Sequence, residues 1–263
     1  MANKGWSRAL QIAGMLALAL LPLLGLRFRH NPYWIEAHGQ GLALDIAASH
    51  SGVFAIGGSQ TLYSYPGPWA QPWAPQAGKS LLALASNGSQ LLAVTTGGGL
   101  QWLNPRSGAV AGTAELQLSR AALSAERGPF VLAGHTVSRF HDGKLESTPC
   151  STLAAEDLAA ADWVWVVSQG ALYRDDEHGC ERQPATPPAV SSVAAWADRV
   201  AVVTADGRGW QRVAGRWREL PVPEKRRVDA ITRPMSIRRL ALGETTTYAL
   251  DSEGAVFLLS EQL

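Results

Sequence analysis

Charge is scarce in this 263-residue chain: Asp, Glu, Lys and Arg make up 17% of it, against roughly 25% in soluble domains. The formal net charge is +1, so no global field advertises a nucleic-acid partner. Cysteine is scarcer still, with only Cys150 and Cys180. That spacing, without a second pair or clustered His, argues against zinc, and no Cys-x-x-Cys-His offers a covalent haem site. No lipobox cysteine lies near the N-terminal apolar run, which excludes a lipoprotein anchor. Gly-x-Ser-x-Gly is missing, and His50, His135, His141 and His178 are scattered through turns, so nothing marks an oriented nucleophile. "TTGGGLQW" (95–102) has the glycines of a phosphate loop but neither its Lys-Ser/Thr nor a following helix. In "RDDEHGCE" (174–181) the acids Asp175, Asp176 and Glu177 are consecutive, so their side chains diverge instead of converging on a hard cation. It reads as a solvated hairpin turn. The sequence points to no catalytic residue, no metal and no cofactor.

Apolar length is plentiful near the start. "ALQIAGMLALALLPLLGL" (9–26) carries no charge; at 1.5 Å per residue it reaches about 27 Å, close to a hydrocarbon core of ~30 Å. A cleaved signal peptide competes with this reading, but no small-x-small site follows the run. The expectation is an uncleaved single-pass anchor over 9–28, behind a short tail (1–8) and before a linker (29–40). Lys4 and Arg8 flank one side, Arg27 and Arg29 the other. The narrow charge margin favours the N-terminus inside, with Tyr33 and Trp34 at the outer interface. An oxidising compartment outside would permit a Cys150–Cys180 disulfide.

From Gly41 onward the chain divides into units of about 35 residues, each with two apolar β-type runs, a turn, a mixed strand and a more polar fourth segment. The expected boundaries are 41–76, 79–112, 115–149, 150–188, 189–223 and 228–263. Asn87-Gly88, Asp142-Gly143 and Asp206-Gly207 are hairpin turns, because such residues accept positive φ. Second strands such as "FVLAG", "VWVVS" and "VAVVT" are nearly all apolar, as when neighbouring sheets bury both faces. "STLAAEDLAAAD" (151–162) is the one segment that also reads as helix. Six four-stranded antiparallel meanders, stacked side by side, describe an all-β, six-bladed β-propeller. The sixth unit lacks a fourth strand, while "PYWIEA" before the first unit has no hairpin partner. Placing 33–37 as the outer strand of the last blade closes the ring.

On "DSEGAVFLL" (251–259) and "TADGRGWQ" (204–211), residues 33–263 resemble bacterial β-propellers of the WD40-like and quinoprotein-like kind. The Trp-Asp dipeptide of true WD40 blades and the Asp-box of sialidases are missing. The resemblance implies a binding platform and transfers no residue-level activity.

Ten tryptophans are many for this length. Trp102, Trp163, Trp165 and Trp210 fall on strands, whereas Trp69 and Trp73 lie in "YPGPWAQPWAP" (65–75), whose prolines forbid a regular ladder. Exposed Trp is costly unless covered, either by a partner, since Trp is enriched among interface anchors, or by the domain's own edge. Between Arg208 and Arg239 ten Lys/Arg face three acids. The segment supplies Arg226, Arg227, Arg238 and Arg239 as candidate contacts to an acidic subunit or anionic lipid. Together these features point to a non-catalytic accessory or scaffold subunit of a bacterial membrane complex. Its partners would be other subunits, and membrane lipid through 9–28. Compatible hosts are photosynthetic or respiratory assemblies and the machinery of secretion or outer-membrane biogenesis. The alternatives are a periplasmic small-molecule sensor and a degenerate propeller enzyme such as a lactonase or quinoprotein. The enzyme reading needs convergent acids on the inner strands, and those strands read as Ala, Leu, Val and Gly.

Overall fold

Apolar runs of four to seven residues, punctuated by turns at positive φ, produce strands and nothing else in the described part of the chain. The computed structural model describes residues 33–36, 43–50, 52–58, 62–65, 80–106, 108–176, 178–222, 224–226, 232–234 and 236–260. These lie in the unit Tyr33–Glu261. Among them no helix is long and apolar enough to cross a membrane. The expected anchor at 9–28, with Arg27 and Arg29, lies outside the described residues.

Strand β1 (Tyr33–Glu36) precedes a three-stranded sheet of β2 (Ala43–Ala48), β3 (Val53–Gly57) and β4 (Leu62–Tyr65). A four-stranded sheet follows: β5 (Leu81–Ser86), β6 (Leu91–Thr95), β7 (Leu100–Leu103) and β8 (Val110–Ala114). The next comprises β9 (Arg120–Ser124), β10 (Gly128–Ala133), β11 (Thr136–His141) and β12 (Lys144–Ser147). Then come β13 (Ala155–Ala160), β14 (Val164–Ser168), β15 (Ala171–Asp176) and β16 (Gly179–Arg182). After these are β17 (Val190–Trp196), β18 (Arg199–Thr204), β19 (Gly209–Val213) and β20 (Arg216–Glu219). A two-stranded ribbon, β21 (Glu224–Arg226) and β22 (Thr232–Pro234), intervenes before β23 (Ile237–Leu242), β24 (Thr247–Asp251) and β25 (Val256–Ser260). β1 completes this last sheet by pairing antiparallel with β25, Tyr33 opposite Ser260 and Ile35 opposite Leu258.

The architecture is an all-β propeller, and the expectation of six four-stranded blades is corrected. Five blades are four-stranded, and the first repeat contributes three strands among the described residues. The segment expected as its fourth strand, 68–75, lies outside them. Its Pro68, Pro72 and Pro75 lack the N–H donors that a regular ladder requires.

The first strands of successive sheets are neighbours in the order β2, β5, β9, β13, β17, β23, and β23 returns to β2. They enclose a central channel. Second strands lie between adjacent sheets, so both of their faces are covered: β6, β14 and β24 are buried at every position. Apolar clusters fill the junctions, for example Phe54 and Ile56 against Leu84 and Leu91, or Phe130 and Val137 against Leu158 and Val166. Each fully buried Leu, Val or Phe stabilises by about 1.5–3 kcal/mol. Between the third and fourth repeats a covalent tie is added. Cys150, in the turn after β12, is bonded to Cys180 on β16, with Cα atoms 5.0 Å apart.

Candidate functional site

Five of the six inner strands carry a β-bulge at the same place. In β2 the register steps from Ala43–Gly57 to Asp45–Ile56, which leaves Leu44 as an extra residue. The same step occurs at Leu82, Glu156, Ser191 and Arg238. A bulge re-aims the side chain it carries, and all five of these residues are exposed. With Arg120 of β9 they surround a cavity of about 470 Å3 at one mouth of the channel. In ring order the rim runs Leu44, Leu82, Arg120, Glu156, Ser191, Arg238, so two adjacent sheets give an apolar wall and four give a polar one.

Just below the rim, charges meet across the channel. Arg239 Nε lies 2.7 Å from Asp45 Oδ1, and its Nη2 lies 3.3 Å from Asp157 Oδ1. Arg120 approaches the same two carboxylates, at 3.3 Å from Asp45 Oδ2 and 3.8 Å from Asp157 Oδ1. The aspartates are themselves anchored to the next sheet. Leu84 N–H donates to Asp45 Oδ2 at 2.8 Å. Ser192 Oγ–H and Val193 N–H donate to Asp157 Oδ2 at 2.8 and 3.1 Å. Both carboxylates are almost wholly buried, so their lone pairs require these donors.

Burial works against the Arg239 charge, but Asp157 and Asp45 outweigh it and hold its pKa above the ordinary value. Arg120 is pushed the other way, by Arg239 first and by burial second, with Arg238 adding to the effect against the pull of Asp45 and Asp157. Arg120 thus stands in the field of the two other guanidiniums. Both residues of the floor stay charged, since arginine does not deprotonate in proteins.

Below this layer the channel narrows to a cavity of about 60 Å3, walled by residues such as Ile46, Leu84, Leu158, Leu240 and Ala241. Trp196 narrows the far end. Trp196, at the end of β17, meets the ring of His50 edge-on with centroids 5.2 Å apart. It also lies so close to Gly88 that a Cβ there would stand 2.3 Å from Trp196 Cη2. These contacts join a sheet to those nearly opposite it in the ring, so the indole lies across the channel.

Other predicted residues are distributed differently. Trp69, Trp73 and Arg227 lie outside the described residues; Tyr33 and Trp34 form the start of β1, and Arg226 ends β21. Of the basic segment, Arg238 is exposed on the rim and donates to the Leu44 carbonyl, whereas Arg239 is enclosed in the ion-pair floor. Asp175 and Asp176 of "RDDEHGCE" take different partners, and the solvated-turn reading is corrected for Asp175. It is fully buried, accepts from Cys150 N–H at 2.9 Å and faces Arg127 at 3.5 Å. Asp176 instead accepts from the backbone of His178 and Gly179 at 2.9 and 3.0 Å, and the His178 bond above all holds its pKa below the usual value.

Inner-strand charges escaped the sequence reading, which took these strands to be Ala, Leu, Val and Gly. Asp45, Asp157 and Arg239 all sit immediately before the repeated apolar triplet ("DIAA", "DLAA", "RLAL"). Writing the units in columns from that triplet brings the three together.

No protein-family model matches the chain, and no curated protein sequence does. Solved structures do resemble it. PorZ, described as an essential bacterial surface component of the type-IX secretion system of Porphyromonas gingivalis, superposes with a TM-score of 0.51 at 16% identity. The match covers 87% of this chain and 38% of the PorZ chain, so this chain spans well under half of that length. YCF48 bound to D1 peptide superposes with a TM-score of 0.57 at 11% identity, covering 90% of this chain and 97% of that one. At such identities the likeness establishes the propeller fold.

Proposed function

We propose that this protein is a non-catalytic accessory or assembly subunit of a bacterial membrane complex, and that it engages a protein partner at the open mouth of its channel. The observation that carries the reading is the mouth itself. Five bulges turn a mixed set of side chains outward at one end of the ring, over a floor whose charges are fixed by one another. A rigid, preorganised surface loses little freedom when it binds. Asp45 and Asp157 are held between arginines and backbone donors, which suits a structural role better than proton transfer. The solved likenesses are compatible with such work: PorZ is named as a secretion-system component, and YCF48 was solved with a peptide bound. The apolar run at 9–26 supports a single-pass anchor in the inner membrane, with host assemblies of photosynthesis, respiration or envelope biogenesis. The Cys150–Cys180 bridge supports a periplasmic propeller.

Co-purification of the full chain in mild detergent tests this. Leu82→Arg on the exposed rim is expected to release the co-purifying subunit while the melting temperature stays the same. Full retention by a folded Leu82→Arg protein would overturn the assignment of the mouth as docking face. A periplasmic sensor is the second reading, favoured by the size of the cavity, which falls in the range of small-molecule sites.

A further inference from the structure

Three arginines and three acids meet at the mouth, but they are not evenly paired. Asp45 and Asp157 are matched by Arg239 and Arg120, which approach both of them. Arg238 is a third guanidinium in the same cavity, near enough to act on Arg120, and among the described residues it meets a backbone carbonyl and no carboxylate. The rim acid, Glu156, stands two sheets away from Arg238 in ring order, and among the described residues no ion pair joins them. Beside Arg238 in ring order stand Leu44 and Leu82, large apolar side chains that are 40% and 44% exposed. A guanidinium without a carboxylate partner, next to an apolar wall and inside a concave site, suits a ligand with two parts.

We propose that the mouth binds a carboxylate that carries an apolar group, such as the C-terminal end of a polypeptide finishing in an aliphatic residue, or a free branched-chain acid. Arg238 takes the carboxylate with charge-assisted hydrogen bonds, and Arg120 backs it from across the cavity. The aliphatic group rests on Leu44 and Leu82. Glu156 repels the carboxylate and keeps it on the Arg238 side, which gives the site a direction. Two-point recognition of this kind tells a terminal carboxylate from an internal acidic side chain by the apolar group beside it.

This proposal deepens the docking reading above, and its test does not depend on a co-purifying subunit, so a negative result here leaves that reading standing. Three probes are titrated calorimetrically into the full chain in detergent: an acetylated tetrapeptide ending in leucine, the same peptide as its C-terminal amide, and 4-methylpentanoate. The free acid is expected to bind at least tenfold more tightly than the amide. Arg238→Gln, at an exposed position, should weaken it at least tenfold, and Glu156→Gln should tighten it several-fold. Binding of 4-methylpentanoate as tight as the peptide's would identify a small acid as the ligand; much weaker binding would identify a polypeptide terminus. No binding by either acid, equal binding of acid and amide, or an unchanged affinity in folded Arg238→Gln would each overturn the proposal.

Discussion

Asp157 accepts hydrogen bonds from Ser192 and Val193 of the adjoining sheet while facing Arg239 and Arg120 across the channel, so one carboxylate bears on four sheets. Asp157→Ala leaves the enclosed Arg239 and the partly exposed Arg120 with a single counter-charge. Removing one member of a buried ion-pair group costs about 3–5 kcal/mol, which for a domain of this size lowers the melting temperature by roughly 10 °C. Thermal unfolding of the variant checks this, and the loss should persist in high salt because the group is shielded from mobile ions. Asp176 behaves differently, being at the surface. Its pKa is depressed, so whatever stability it adds is present above the unfolded carboxylate pKa and disappears as pH falls through the folded value. The floor was hard to read in the sequence for a physical reason. Its members are separated along the chain by 75 residues (Arg120 to Asp45) and 82 residues (Arg239 to Asp157). Each alone resembles a polar interruption at the solvent face of a strand, and only the ring brings them together.

Individual elements were more legible, because local chemistry decided them. Asn87-Gly88 and Asp142-Gly143 turn where the sequence requires, with Gly88 at φ +93° and Gly143 at φ +77°. "AEDLAA" was ambiguous between helix and strand on propensity alone; burial against both neighbouring inner strands makes it β13. β1 was legible as the missing outer strand of the last sheet, since an unpaired strand and an incomplete sheet stood at opposite ends. Deleting 33–36 strips β25 of its outer neighbour, and the expected result is a fall in melting temperature on the order of 10 °C, read by circular dichroism. Unchanged melting would mean that the closing pair contributes no stability. The Cys150–Cys180 tie should add about 3–4 kcal/mol in the loop-entropy account. A Cys150→Ala, Cys180→Ala double variant is expected to unfold at correspondingly lower denaturant, and titration of the native protein without reductant should find no free thiol.

At the scale of the whole molecule, the number of four-stranded sheets was not legible, because the repeat period alone does not reveal that the first unit contributes three strands among the described residues. That unit runs into the proline-rich stretch holding Trp69 and Trp73. We expect the double substitution of these tryptophans by Ala to weaken association with the host complex without unfolding the ring, since a buried Trp anchor contributes about 2 kcal/mol or more. Quantitative co-purification checks it, and full recovery of the complex would confine docking to the channel mouth. The pairing of Tyr33 with Ser260 has a further consequence, for how the protein is made. Every four-stranded sheet but the last is a local meander, able to fold once its own turns have left the ribosome. β25 emerges after all of them, and until then β1 has no strand to join. The nascent chain thus carries an unsatisfied edge throughout synthesis, and two crowded chains can satisfy each other by exchanging that strand. A swapped dimer, with every sheet intact, is the error to which this topology is most exposed.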